Sequence, residues 1–266
     1  MKCAPFEYVR PTSVDEVLAA LVAADGEGKI LAGGQSLVPV MALRMARPAV
    51  IVDINRVEGL AAVERDGDTV HVGALVRHRT LAEQSAHPLL AEAARHIGHA
   101  AIRTRGTAGG SIAHADPAAE LPVVAVATGA TVTAAGARGD RWVAADDLFA
   151  GPLMTTLDAD EMITGLDVPV PTRWGFAGFA RRHGDFALVT VVVAEVRGQV
   201  RIAVGGVGAV PLRARAAEAA IGEPVERVAQ LVGDELNPTG DLHGSAEFRR
   251  GVAVEMARRA LASAGI

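Results

Sequence analysis

The pattern of the chain changes at residues 169–174, "PVPTRW", and this change constrains the fold more than any other feature. Two prolines within six residues, with no apolar periodicity, mark a boundary between units. Beyond it, "FAGFARR", "ALVTVVVAEV" and "QVRIAVGGVG" read as strands, and Arg197 and Gly198 form a hairpin signal between the last two. Residues 212–221, 225–231 and 245–264 then read as helices. Strands followed by helices imply a small α+β domain built on an antiparallel sheet.

Before the boundary, strands and helices are interleaved. Ser13 with Glu16 three residues on is a capping-box start to a helix. "KILA" reads as a short strand that delivers the chain to Gly33 and Gly34, and "AVIVDI" at 49–54 as a buried one. "TVHVGALV" at 69–76 alternates like a half-exposed strand, and helices run through "TLAEQ" and "PLLAEAARHIGH". "ELPVVAVATGA" is apolar on all sides and reads as a buried helix, whereas "ATVTAA" and "EMITGLDVP" read as strands. The division expected from these patterns is residues 1–172 and 173–266.

Composition narrows the function. A formal charge of −5 argues against nucleic acid or an anionic membrane as the main partner. No apolar run reaches the ~20 residues of a membrane span, and the N-terminus "MKCAPFEYVRPTS" has no apolar signal region. A cytoplasmic location is the expectation. Cys3 is the sole cysteine, so the chain can neither close an internal disulfide nor ligate an iron–sulfur cluster by itself.

Two glycine pairs stand out. "KILAGGQSLVP" at 29–39 and "TRGTAGGSIAHADPAAELP" at 104–122 both set glycines beside hydroxyls. Consecutive glycines permit positive φ and a close ligand approach, and their amides can converge on phosphate oxygens. Two such loops suit a pyrophosphate. Neither contains the G-x-G-x-x-G fingerprint or a Walker sequence, and "GGVGAVP" at 205–211 has Pro211 where the last glycine would stand.

With these flanks the chain resembles the flavin-binding medium subunits of the molybdenum hydroxylases, the group of carbon monoxide dehydrogenase and xanthine dehydrogenase. The resemblance rests on "FEYVRPTSVDEVLAAL", "LAGGQSLVPVMALRMARPAVIVDINRV", "IRTRGTAGGSIAHADPAAELP", "ARRHGDFALV", "GGVGAVPLRA" and "HGSAEFRR", and it spans nearly the whole chain. It implies an α+β architecture. A two-lobed FAD-binding domain of the vanillyl-alcohol-oxidase (PCMH) type precedes a small C-terminal domain with an antiparallel sheet and helices. It also implies a set of cofactor contacts. Lys29, Ile30, Leu31, Ala32, Gly33, Gly34, Gln35 and Ser36 form the first, and Thr107, Ala108, Gly109, Gly110 and Ser111 the second. Asp116, Glu120 and Ile163 follow, and Asp185 and Phe186 of "GDFA" lie near the ring. Relatives often have Tyr where this chain has Phe186, which shields but offers no phenol. Arg181 and Arg182 stand near where some relatives place a lysine.

The function implied is electron transfer. A large molybdopterin subunit oxidises substrate, and a small [2Fe-2S] subunit passes electrons to this FAD. An acceptor such as NAD, a quinone or oxygen takes them, and the complex is expected to be a dimer of heterotrimers. The alternative is a free-standing FAD-dependent oxidoreductase acting directly on a small organic substrate, which calls for a titratable residue facing the ring. No catalytic acid, base or metal set is assigned. His96 and His99 lack further ligands, His114 and Asp116 lack a nucleophile elbow, and Arg77, His78 and Arg79 read as a solvated face. Arg103 and Arg105 flank the second loop, suited equally to phosphate charge or to a partner. Residues 234–250 lack the EF-hand pattern and read as a polar loop before the last helix.

Overall fold

The computed structural model describes residues 2–84 and 86–266. Its first lobe is β1 (Glu7–Val9), α1 (Val14–Ala23), β2 (Gly28–Leu31), α2 (Leu37–Ala42) and β3 (Val50–Asp53). The three strands form a parallel sheet in the order β1-β3-β2, with β3 buried at the centre. Ser13 caps α1 by accepting from the Glu16 amide at 3.2 Å. The expected return bond goes one residue further back. The Glu16 carboxylate accepts from the Thr12 amide at 2.7 Å, which holds its pKa below the ordinary value.

The second lobe begins with β4 (Val63–Asp66), β5 (Thr69–Gly73), α3 (His78–Glu83), α4 (Pro88–His96), α5 (Ala100–Arg103), α6 (Ala108–His114) and α7 (Glu120–Thr128). It continues through β6 (Thr131–Gly136), β7 (Arg141–Ala144), α8 (Ala145–Leu148), the small pair β8 (Phe149–Gly151) and β9 (Met154–Thr155), and β10 (Glu161–Pro169). An antiparallel sheet of order β4-β5-β10-β6-β7 buries one face beneath α4, α6 and α7. Every residue of α7 is buried, which explains its unbroken apolar sequence.

The C-terminal unit holds β11 (Arg173–Phe179), β12 (Val189–Val196), β13 (Gln199–Gly205), β14 (Leu212–Arg213), α9 (Arg215–Ala219), α10 (Val225–Glu235) and α11 (Ala246–Ala264). Its sheet is antiparallel in that strand order. Arg197 and Gly198 both have positive φ, 50° and 77°, as a two-residue type I′ turn demands. β12 has helices on both sides. Val189, Val191 and Val193 pack into the core under α10 and α11, and Val192 and Ala194 into the core around α7. A strand covered on both faces needs apolar residues at consecutive positions, hence "VTVVVA".

One expected helix is corrected. Residues 212–213 pair with β13 as an edge strand, with Ala203 opposite Arg213, and α9 starts only at Arg215. Short strands of this kind lack the length that periodicity needs. The stretch expected as a loop at 107–111 is also corrected. Thr107 caps α6 by accepting from the Gly110 amide at 3.2 Å, and both Gly109 and Gly110 are helical.

His87 joins α4 to the end of β10. Its Nδ1 accepts from the Leu90 amide at 3.2 Å, and its Nε2–H donates to the Pro169 carbonyl at 3.0 Å. Burial pushes its pKa down to about 4, so the folded chain keeps the ring neutral. The stabilisation is present above pH 6.5 and is lost as pH falls through about 4, an effect on the order of 3 kcal/mol at most. The melting temperature of a His87→Asn chain should therefore fall less steeply than wild type between pH 6.5 and 4. Equal slopes would show that His87 does not govern acid sensitivity.

Candidate functional site

The two glycine stretches meet face to face. A Cβ on Gly33 would lie 2.3 Å from the Arg105 carbonyl oxygen and 2.8 Å from the Gly106 Cα, so the backbones pack as closely as glycine allows. Gly34 follows with φ of 72°, and the chain then turns into α2. Among the described residues, the amides of Gly33, Gly34, Gln35 and Ser36 donate to no protein acceptor. The Ser36 hydroxyl caps nothing either. A run of free donors of this kind is able to serve an anion.

The second stretch contributes differently. The amides of Ala108 and Gly109 donate to Val76 and Ala74 carbonyls at 2.8 and 2.9 Å, and those of Gly110 and Ser111 go to Thr107. Thr107, Ala108 and Gly109 are buried, while Gly110 and Ser111 stay half-buried. Gly109 is needed for packing, because its Cβ would meet Ala74 Cβ at 2.6 Å. Free backbone donors thus lie on the first stretch, while the second packs against it and adds the half-buried Ser111 hydroxyl.

A polar network that the sequence did not single out braces this junction. Asn55, just past β3, donates from Nδ2 to the Ala32 carbonyl at 2.8 Å and to Asp53 Oδ1 at 2.6 Å. Tyr8 donates its hydroxyl to Asp53, and Arg10 lies 3.6 Å from the same carboxylate. Burial pushes the Asp53 carboxyl up, but the hydrogen bonds from Tyr8 and Asn55, with Arg10, outweigh it and hold the pKa below the ordinary value. A polar residue ending a buried strand and another two residues on, in "VDIN", were the available signal.

The expected solvated face at residues 77–79 is corrected. His78 is 5% exposed. Its Nε2–H donates to the Thr107 carbonyl at 2.9 Å, and its amide donates to the Gly106 carbonyl at 3.0 Å. Burial pushes its pKa down to about 4, which keeps the ring neutral. Arg77 is half-buried, and Arg79 alone of the three behaves as expected, pairing with Glu83 on the surface.

Further along, Asp116 accepts from the Ala118 amide at 2.8 Å, shaping the turn before α7. Glu120 at the start of α7 is 4% exposed and lines a cavity of about 140 Å³ between the helices of the second lobe and the C-terminal sheet. Burial, with a smaller push from the Asp116 charge, raises its pKa to about 7. Across the cavity stand Thr190, whose buried hydroxyl has no partner among the described residues, and the loop carrying Arg182 and Asp185. Arg182 donates to Asp185 at 3.0 Å, and Phe186 is 62% exposed.

The C-terminal helix fixes this loop. Arg249, 7% exposed, donates to the Leu188 and Gly206 carbonyls at 2.8 and 2.9 Å and to Asp241 at 2.8 Å, while Arg181 donates to the His243 carbonyl at 2.6 Å. Ile163 sits in the core with Ala108 and Ile112. Lys29 is exposed on β2. His96 is held by Glu92 at 3.2 Å and stacks on Phe176, and Arg103 donates to the carbonyls of Ile97 and Gly98.

Comparison with known proteins agrees with this geometry. Residues 4–171 match the FAD binding domain in molybdopterin dehydrogenase, and residues 174–264 match the CO dehydrogenase flavoprotein C-terminal domain. The chain is 43% identical to the nicotine 6-hydroxylase medium subunit of Paenarthrobacter nicotinovorans, covering 100% of this chain and 99% of that one. It is 38% identical to the caffeine dehydrogenase subunit beta of a Pseudomonas species, over 99% and 96% of the two. The solved carbon monoxide dehydrogenase of Hydrogenophaga pseudoflava contains a chain that superimposes with a TM-score of 0.93 at 37% identity, covering 100% of this chain and 99% of that one. The chain belongs to the family of FAD-binding medium subunits of the molybdenum hydroxylases, oxidoreductase subunits whose flavin domain is followed by a CO dehydrogenase-type C-terminal domain.

Proposed function

We propose that the chain holds FAD with its pyrophosphate on the free amides of Gly33–Ser36 and its flavin end toward Glu120 and the Asp185–Phe186 loop. The run of unpartnered amides is the observation that carries the reading, since buried or half-buried donors left together call for an anionic acceptor. Gly110 and Ser111 complete the cradle, with Lys29, Ile30 and Leu31 leading into it. Asp116 is assigned to the polar edge of the cofactor, and Ile163 to the apolar wall. Bound FAD supplies conversion between one-electron and two-electron transfer. The residues of this chain bind it, shield it and set its surroundings; none is assigned to proton abstraction from a substrate.

In this reading the electrons come from a small [2Fe-2S] subunit fed by a large molybdopterin subunit, the complex being a dimer of heterotrimers in the cytoplasm. NAD, a quinone or oxygen takes them from the flavin. We place the boundary between the two domains of the chain at residues 172–173. The free-standing enzyme is disfavoured because relatives over the full length carry names of subunits and medium chains. Purification with native partners tests the proposal. The expected result is FAD on this chain, with iron and molybdenum on two co-purifying subunits. Stoichiometric iron on this chain alone would contradict it, because Cys3 is the one thiol it has.

A further inference from the structure

Arg77 joins the two glycine stretches through its side chain. Its Nη1 donates to the Arg105 carbonyl at 2.5 Å, and its Nη2 donates to Asn55 Oδ1 at 2.6 Å. Asn55 then reaches the Ala32 carbonyl at 2.8 Å. Each end of this chain of bonds is therefore a backbone carbonyl directly before a glycine, Gly106 on one side and Gly33 on the other. The guanidinium suits the task because its planar donors are set at fixed angles, which a lysine ammonium cannot reproduce.

Backbone bonds independent of this side chain also hold both stretches. The second stretch is held by the backbone bridge between residues 77 and 107 and by the His78 amide on Gly106, and the first is carried by β2 against β3. What the side chain fixes is the separation of the stretches and the direction of the free amides between them. Both of its acceptors are neutral oxygens, and the Asp53 carboxylate, which shares Asn55 as a partner, favours its charged form from a distance.

We infer that Arg77 is a positioning residue for the cofactor: it clasps the first glycine stretch to the second through Asn55 and holds the Gly33–Ser36 amides in their anion-binding arrangement. The inference rests on the reading of FAD as the ligand. A preorganised nest gives up little conformational freedom on binding, and releasing the clasp restores that freedom to the free chain.

The test uses the full chain freed of FAD, as wild type, Arg77→Ala and Arg77→Lys. Affinity for added FAD is read by flavin fluorescence, and hydrogen exchange at the bonded amides of residues 105 and 106 is read without FAD. Both variants should bind FAD at least tenfold more weakly and exchange these amides faster, with melting temperatures close to wild type. Wild-type affinity in Arg77→Ala overturns the inference. So does wild-type affinity in Arg77→Lys, which would show that charge alone suffices. If the wild-type chain takes up no FAD, the functional reading fails, and unchanged exchange in the variants would separately remove the clasp.

Discussion

A Gly33→Val chain is expected to purify without FAD. The new Cβ would stand 2.3 Å from the Arg105 carbonyl oxygen and 2.9 Å from its carbon, contacts that side chains never make. Both atoms are backbone, and the carbonyl is held by Arg77, so no rotamer change relieves the clash. The stretches must separate, and the free amides of Gly33–Ser36 lose their common direction. The clash falls between two loops, outside every helix and strand, so helix and strand content should persist in circular dichroism while the flavin-to-protein absorbance ratio falls to near zero. Gly110→Ala should be milder, because its Cβ meets the Thr107 hydroxyl at 2.6 Å, and that side chain can turn. Turning forfeits the cap of α6, a cost of about 1 kcal/mol. Full FAD occupancy in Gly33→Val would mean that the junction is a structural turn and not the cofactor cradle.

A Glu120→Gln chain should be more stable than wild type in alkaline solution and nearly equal to it in acid. Burial raises the folded pKa from 4.5 to about 7, so the folded carboxyl holds its proton where the unfolded one has lost it. Wild-type stability is therefore full below pH 4.5, declines as pH rises through about 7, and levels off above. The loss is on the order of 3 kcal/mol at most, and water in the cavity reduces it. The groups around the cavity include His96 from α4, and Arg182, His183 and Asp185 from the loop before β12. None makes a hydrogen bond to Glu120, so the glutamine loses no partner. Thermal melts at pH 5 and pH 8.5 check this, and a variant that gains nothing at the higher pH would show that Glu120 is already neutral or already solvated there.

Much of the architecture was legible in the sequence. The buried helix of residues 120–128 and the Arg197-Gly198 hairpin both follow from local periodicity and turn chemistry. Short elements did not. β1 and α2 span three and six residues, below the length at which a period can be read, and 212–213 became a strand because β13 offered it an edge. The site was legible where glycines mark close approach, and illegible where long-range hydrogen bonds decide. Nothing local distinguishes Arg77 from Arg79, yet one bridges residues 55 and 105 while the other meets solvent. Thr107 illustrates the same limit, since nothing local shows that its hydroxyl oxygen caps α6.

The central claim is that electrons enter this flavin only through partner subunits. It is tested by mixing the isolated FAD-loaded chain with the organic substrate of the intact complex and following flavin absorbance anaerobically. The account predicts bleaching by dithionite, none by substrate, and substrate-driven bleaching once the iron–sulfur and molybdenum subunits are restored. Bleaching of the isolated chain by substrate at the full rate of the complex would contradict it.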